Sequence, residues 1–363
     1  MMKVKITGFA LFWALALFVL ATTIYYWNFS IGFLSTGDGP PGWTGMVNAH
    51  DHLFYVDTIE RLARDGVGYE LNNDVGISFF YLVLGGLFFS GEVDYVSLAL
   101  YVNLFFLLMT FVVYLKICDF YGFGFYARLA FFAGLHLIYF CQLINKDMLS
   151  VFLIVFSVYC GINRKLALLL LLIPFYAMVR QQLLVYVALF IFIQTAVWPL
   201  WRIFFAYIVT SLVAAYLVTH NSIIGSESLE GGFSSLVYSI NEHYYVGYLL
   251  LNPIRVLQFV QDSMLSFFFI TPDGAIDMGR ALRVPQVLLL ILMGYPLCVA
   301  VKRFRDGLQS VARPLYSALI AYLLAWLMNP TINARYVMLI APVLVLMACY
   351  ARQRYLLRRT QYV

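Results

Sequence analysis

Two stretches dominate this sequence: FALFWALALFVLATTIYYW (9–27) and PQVLLLILMGYPLCVAV (285–301), neither holding a charged residue. Runs of about 20 apolar residues match the thickness of bilayer hydrocarbon when coiled as an α-helix. Hydrophobic residues make up 63% of the 363 and charged ones only 11%, whereas soluble domains carry roughly a quarter charged. A single soluble core stops growing near this chain length, so it would leave much of this apolar surface wet. Lipid must therefore be the solvent. Within lipid every backbone N–H and C=O needs an internal partner, which leaves helices or a closed barrel. Barrel strands alternate apolar and polar residues over about ten positions. These runs do not alternate, so the fold class is all-α, a polytopic integral membrane protein.

Further apolar runs fall near 95–117, 124–143, 183–200, 203–219, 314–330 and 336–350. A short pair, 148–162 and 165–179, is divided by the basic turn Asn163-Arg164-Lys165. The first run extends over 7–28 behind Lys3 and Lys5; it resembles a signal peptide but lacks a clear small-residue cleavage site, so a retained helix is expected. With that N-terminus inside, 15 of the 23 Lys and Arg face the cytoplasm, leaving Arg61, Arg64, Lys146, Arg180, Arg255, Arg280, Arg283 and Arg335 outside. This is the asymmetry of the positive-inside rule. Of the 18 acidic residues, only Asp119 and Asp306 then lie inside. The expectation is a single polytopic domain over 1–363 with about ten transmembrane helices, both termini cytoplasmic, and external loops near 29–94 and 220–283. Segments 75–91 and 244–270 are expected on the external side as interfacial or re-entrant helices.

The net charge of +5 comes without a basic cluster interleaved with aromatics, so no nucleic-acid partner is implied. Arg352, Arg354, Arg358 and Arg359 read instead as a cytoplasmic anchor. The five cysteines lie in or beside apolar runs without Cys-x-x-Cys spacing, and neither disulfides nor a metal site follows.

Four polar constellations interrupt the apolar pattern on the external side. In the first loop, Leu53, Val56, Ile59 and Leu62 recur on one helical face, Asn48 can cap the helix and Gly66 can end it. Such a helix is expected to lie in the interface with its apolar face in lipid, and Asp51 at its start would stay ionised beside the helix dipole. His50 and His52 flank Asp51, but their side chains diverge, which favours polar contacts over a metal. The second is Asn145-Lys146-Asp147, where charges at membrane depth must be paired or used. The third, Arg180-Gln181-Gln182, sits between short spans, where an arginine snorkels or meets an anion such as phosphate. The fourth, Asn329-Pro330-Thr331-Ile332-Asn333-Ala334-Arg335-Tyr336, breaks a helix at the mouth of the last two spans. Each also reads as an ordinary amphipathic helix, turn or belt residue. Together they offer acids able to serve as a general base and arginines able to hold a phosphate leaving group.

This layout resembles the GT-C superfamily of membrane glycosyltransferases, most nearly the Wzy-type and EpsG-like O-antigen or exopolysaccharide polymerases. The resemblance lies in the first helix, the long external loop with its acid and interfacial helices, and the second acidic site. These fall at Asp51 (or Asp57, beyond the His52–Tyr55 stretch) and Asp147. Asp74-Val75-Gly76-Ile77-Ser78-Phe79-Phe80-Tyr81-Leu82 is similar to the entry of the following helix in EpsG-like proteins. It covers most of the chain as architecture, though its motifs are short and degenerate. The resemblance implies Asp51, Asp147 and Asp57 as catalytic candidates. Arg180, Arg335, Lys146, Gln181, Tyr336, His52 and Arg255 are the substrate- or phosphate-binding candidates, with Arg280 and Arg283 as possible replacements. It also implies an inner-membrane enzyme of glycan assembly acting on polyprenyl-phosphate-linked glycan, with membrane lipid and a chain-length regulator protein as partners and no cofactor. The first loop has no Asp-x-Asp motif, so metal dependence is not implied. Nor is there a His-Pro-Pro or Asp-Glu motif of the protein mannosyltransferases. A transferase using a lipid-phosphate monosaccharide and a flippase of lipid-linked glycan remain the alternatives; the charges cluster at the external boundary instead of mid-span, which favours an enzyme over a transporter.

Overall fold

The computed structural model describes residues 8–45, 49–66, 73–89, 93–196, 199–220, 232–329, 332 and 334–356. It is 82% helical. In chain order the first half comprises α1 (Gly8–Ser30), α2 (Phe33–Thr36), β1 (Trp43–Thr44), α3 (Ala49–Asp65), α4 (Asn73–Phe88), α5 (Tyr95–Tyr121), α6 (Phe125–Leu129), α7 (Leu135–Phe140), α8 (Asp147–Ile162), α9 (Ala167–Leu171) and α10 (Ile173–Val179). The second half comprises α11 (Gln181–Gln194), α12 (Pro199–His220), α13 (Gly232–Tyr244), α14 (Gly247–Met264), β2 (Ile276–Asp277), α15 (Met278–Ala281), α16 (Val284–Leu292), α17 (Gly294–Lys302), α18 (Phe304–Leu308), α19 (Arg313–Trp326) and α20 (Ala334–Ala351).

Among the described residues, four helices are long and apolar enough to cross a membrane: Gly8–Ser30, Tyr95–Tyr121, Pro199–His220 and Arg335–Tyr355. A fifth crossing is available if α16 and α17 with their flanks, bent by 57° at Met293, form one span. The expected spans at 124–143 and 165–179 are instead broken, the first by a 3-10 turn at Ala130–Ala133 and Gly134, the second at Leu172 ahead of Pro174. Proline within the first turn starts a helix well but cannot continue the one before it.

The chain packs as two compact units. One contains Met1–Phe156, Leu172–Gln181 and Ser266–Leu289; the other contains Ser157–Leu171, Gln182–Leu265 and Leu290–Val363. In the first, α1 lies against α5 and α7, and α4 lies against α3, α5 and α10. Most outward residues of α1 are apolar, among them Leu11, Phe12 and Leu15, while Asn28 is buried. Apolar outside and polar inside is the arrangement that lipid rewards and water penalises. The protein is a membrane protein.

The two expected external loops meet in this unit. β1 pairs in parallel with β2, Trp43 opposite Ile276 and Thr44 opposite Asp277, and the Gly279 N–H donates to the Gly45 carbonyl at 3.0 Å. In the second unit α12 packs on α13, α14 and α19, and α20 packs on α14, α17 and α19. Trp326 stacks on Tyr322 at 4.2 Å between ring centroids.

The expectation for the amphipathic helix α3 needs correction, and that for 244–270 is narrowed. Ile59 and Leu62 of α3 are buried in protein along with His52, Tyr55 and Thr58, so this face turns onto α2 and α4 and not into lipid. The expected cap Asn48 lies outside the described residues. Helix α14 reverses the interfacial pattern: Asn252, Arg255 and Ser263 are buried, whereas Leu250, Ile254, Leu257 and Val260 are exposed. A helix lying between lipid and water would need an outward polar face, so of the two forms expected for 244–270 this pattern suits the re-entrant one better.

Helices α4 and α10 approach closely because Gly76 has no side chain; a Cβ there would run into the Met178 carbonyl. At Gly86, on the same helix, an added Cβ would meet nothing within 4 Å. Gly76→Ala is therefore expected to destabilise the folded protein by about 1–3 kcal/mol through overpacking. Gly86→Ala should gain up to about 1 kcal/mol of helix propensity. Thermal unfolding in detergent, followed by size-exclusion of the soluble fraction, checks the opposite signs.

Candidate functional site

The segment 141–146 is irregular although it lies between two apolar helices. Its backbone groups are met by side chains from other helices and from the turn itself. Asn103 of α5 donates from Nδ2 to the Leu143 carbonyl at 2.6 Å and to the Cys141 carbonyl at 3.4 Å. Its Oδ1 accepts from the Tyr81 hydroxyl of α4 at 3.1 Å. Asn28 of α1 donates to Gln142 Oε1 at 2.7 Å. His52 of α3 accepts the Ile144 N–H on Nδ1 at 3.0 Å, which places its own proton on Nε2, facing the Leu34 carbonyl at 3.2 Å. Asn145 completes the turn by donating to the Phe140 and Leu143 carbonyls, both at 2.7 Å. Its Oδ1 accepts the N–H groups of Asp147 and Met148 at 2.9 and 3.1 Å. Asparagine is a favoured residue for satisfying the orphan donors of a helix start.

This turn delivers Lys146 and Asp147 to a cluster of charges. Asp147 is 1% exposed and Arg180 8%, and Arg180 Nη2 stands 3.3 Å from Asp147 Oδ1. Arg180 reaches this position because the chain is extended at that residue, between the end of α10 and the start of α11. Lys146 Nζ makes a short ion pair with Asp74 at the head of α4. Tyr55 lies under that pair, its ring 5.5 Å from Lys146 Nζ and its hydroxyl donating to Asp74 Oδ1 at 3.3 Å.

Electrostatics tie the group together. Burial, then the carboxylates of Asp74 and Asp51, raise the Tyr55 hydroxyl above its ordinary range; Arg180 opposes this. The phenol is a protonated donor at neutral pH. Burial pulls the Lys146 ammonium down, and Asp74 pushes it back up. Two cations and two carboxylates thus sit together, all at low exposure except Asp74, whose side chain is 39% exposed, with Asp51 within electrostatic reach. Such a set can hold a phosphate on Arg180 and Lys146 and present a carboxylate to a hydroxyl proton.

Of the residues singled out by sequence, Asp51, His52, Lys146, Asp147 and Arg180 belong to this unit and gather around Tyr55 or brace the turn. Asp57 is exposed, about half a helical turn from Tyr55, and Gln181 is exposed at the first position of α11. Arg255, Arg335 and Tyr336 belong to the other unit. There Arg255 is 0% exposed and donates to Asn252 Oδ1 at 2.9 Å, to the Leu327 carbonyl at 2.7 Å and to the Asn329 carbonyl, with its guanidinium 4.7 Å from the Tyr248 ring. Gln182 Nε2 donates to Asn329 Oδ1 at 2.9 Å. The Tyr336 carbonyl accepts from Tyr322. Pro330, Thr331 and Asn333 lie outside the described residues.

In the sequence Tyr55 and Asp74 sit within motifs without standing out as site residues, and Asn28 and Asn103 belong to no motif. A signal for the two asparagines exists nonetheless: a carboxamide inside an apolar run is costly and marks a buried partner. Among the described residues no group of three or more His, Cys, Asp or Glu is placed to hold a metal. Comparison with known proteins returns nothing: no family model, no curated protein and no solved structure matches the chain.

The His52 bonds generate a pH dependence. Burial holds its imidazole down to about 4, against an ordinary value of 6.5. Unfolded, the ring gains a proton as pH falls through 6.5; folded, it stays neutral until about 4. Between these values the unfolded chain binds more protons, so stability falls as pH is lowered. The loss attributable to His52 should reach about 3 kcal/mol by pH 4 and be absent above pH 6.5. Unfolding midpoints measured across this range for the native protein and His52→Gln test it, since the glutamine variant should lose that component of the slope.

Proposed function

We propose that this chain is a membrane glycosyltransferase that moves sugar from a polyprenyl-diphosphate carrier onto a second lipid-linked glycan, as in O-antigen or exopolysaccharide polymerisation. The observation that carries the proposal is the buried Asp147–Arg180 pair beside Lys146, Asp74 and Tyr55. A buried ion pair contributes little net stability, because desolvation offsets attraction. Retaining one at the end of an apolar helix is therefore better explained by use.

In this reading a donor diphosphate takes the Arg180 guanidinium, with Lys146 as a second cation. Asp147 then loses its counter-ion while remaining buried, which raises its affinity for a proton. The acceptor hydroxyl gives its proton to the Asp147 carboxylate as its oxygen bonds to the anomeric carbon. The anomeric C–O bond to the diphosphate breaks, and its electron pair leaves with the diphosphate, neutralised by Arg180 and Lys146. Asp51 is the alternative base. The sugar donor, not a nucleotide, supplies the reaction's free energy, and no metal or cofactor enters this scheme.

The accompanying topology has about ten crossings, with the shorter helices α8, α11 and α19 completing the bundle inside protein, both termini in the cytoplasm, and the cluster on the external face of an inner membrane. The pairing of segments 42–45 and 276–279 supports that sidedness, since charge alone puts both outside. A chain-length regulator is the expected protein partner.

Two variants separate use from architecture. Asp147→Asn leaves Arg180 buried without its counter-charge and is expected to cost about 3–5 kcal/mol of stability. The exchanged pair, Asp147→Arg with Arg180→Asp, should recover much of that stability but no transfer activity. Glycan chain length in cells carrying each variant, alongside the amount of folded protein, is the measurement. Long-chain glycan from the exchanged pair would sink the assigned roles, as would wild-type polymer from Arg180→Ala.

A further inference from the structure

The second unit gathers positive charge at one edge. There α17 stops at Lys302, α18 follows, α19 begins at Arg313, and α20 widens into a π-turn, Arg352–Leu356. The π-turn packs against α17 and α20. Its Tyr355 ring meets Tyr350 edge-on at 6.2 Å, and the Tyr350 hydroxyl donates to Ser310 Oγ, just after α18, at 3.3 Å. These contacts bring Arg352 and Arg354 to the same edge as Lys302, Arg303 and Arg305, and all five are exposed. Asp306 is the one acid in these segments, and it pairs with Arg303 at 3.4 Å.

Two other arginines of this unit are committed to backbone. Arg313 donates to the carbonyls of Leu308 at 2.6 Å, Ala196 at 3.0 Å and Gln194 at 3.3 Å, and Arg202 donates to that of Phe192 at 2.8 Å. By contrast, the side chains of Lys302, Arg305, Arg352 and Arg354 make no ion pair or hydrogen bond among the described residues. Exposed charge alone is satisfied by water and makes no site, but two further features set this edge apart. Arg335–Tyr355 is long and apolar enough to cross a membrane, and the bent α16–α17 pair runs out at Lys302. The cations therefore begin where apolar sequence stops, at the depth of lipid headgroups. On α17, Tyr295, Cys298 and Lys302 lie on one helical face with Val301 at its side, all exposed. An apolar stripe thus leads up to the ammonium group. A soluble polyanion would meet the cations and leave that stripe unused, whereas a lipid with a charged phosphate meets both.

We infer that this edge of the second unit binds an anionic phospholipid, its phosphate held by the cations of 302–305 and 352–354 and an acyl chain laid along Tyr295 and Val301. Clusters of roughly four to eight Lys or Arg beside a membrane helix recognise anionic headgroups in this way. The site uses none of the residues assigned to transfer and stands whether or not that reading does.

The test uses the full chain in dodecyl maltoside and two phospholipids with the same dioleoyl chains, anionic phosphatidylglycerol and net-neutral phosphatidylcholine. Native mass spectrometry gives the affinity for the first lipid bound. The native protein is expected to prefer phosphatidylglycerol about twentyfold, the worth of two cations at about fivefold each. Arg303→Gln with Arg305→Gln, and separately Arg352→Gln with Arg354→Gln, should each bring that ratio to about fourfold and leave affinity for phosphatidylcholine unchanged. All four side chains are exposed, so both variants should fold, and each pair is read on its own. Arg61→Gln with Arg64→Gln removes two exposed cations of α3 and should leave the preference intact. Equal binding of the two lipids by the native protein would overturn the site, as would an unchanged ratio in both patch variants. An equal loss in the α3 variant would also overturn it, by reducing the preference to attraction by net charge. So would displacement of phosphatidylglycerol by millimolar glycerophosphoglycerol, the same headgroup without chains, which would mark a site for soluble phosphates.

Discussion

Everything positioned in the first unit depends on how six residues of non-helical backbone, 141–146, are satisfied without water. In lipid an unmet N–H or C=O costs several kcal/mol, so an interruption between apolar helices persists only where other chain segments supply partners. His52, Asn103 and Asn145 supply them, from α3, α5 and the turn itself, while Tyr81 of α4 orients Asn103 and Asn28 of α1 holds the Gln142 side chain. The same bonds that make the break tolerable also fix where Lys146 and Asp147 point. Architecture and site geometry are one network, so a substitution such as Asn103→Leu would affect both. The network is side chain to backbone in the main, which gives it direction as well as energy.

That constraint explains how the Asp147–Arg180 pair survives at low exposure. Holding Asp147 and Arg180 in place before they meet removes much of the side-chain entropy that weakens ion pairs between flexible partners. Gly76 contributes from a distance, because the close approach of α4 to α10 brings the head of α4, with Asp74, near the helix that ends at Arg180. Tyr55 fills the space beneath, and its protonated hydroxyl gives Asp74 a second donor besides Lys146. A cluster so balanced has little net field until an anion enters it.

Much of this is legible in the sequence, for reasons that differ by residue. The apolar runs of α1, α5, α12 and α20 announce helices in lipid, because their length and lack of charge leave no other fold. Lys146, Asp147 and Arg180 stand out because a charge inside such a run is costly, and the structure joins Asp147 to Arg180 across 33 positions of chain. Pairing of that kind is a tertiary property that no spacing rule contains. The expectation for the face of α3 fails because Ile59 and Leu62 are equally suited to lipid and to a protein groove. Only the buried His52 and Tyr55 on the same side reveal which one it is.

The buried arginines show why depth alone is a poor guide to function. Arg255 is the more deeply buried, yet its donors are committed to the Leu327 and Asn329 carbonyls just beyond α19 and to Asn252. Carbonyls at a helix C-terminus lack intrahelical partners and carry the negative end of the dipole. Withdrawing Arg255 to bind a ligand would leave them unmet in lipid. Arg180 faces a carboxylate instead, so in the proposed reaction an entering phosphate would exchange one anion for another, and the displaced Asp147 would become more basic in the step that needs a base. A cation held by backbone serves as a staple, whereas a cation held by an exchangeable anion is poised for chemistry. By this criterion Arg180 is the arginine that the proposed reaction needs, and the criterion rests on what each guanidinium would leave behind.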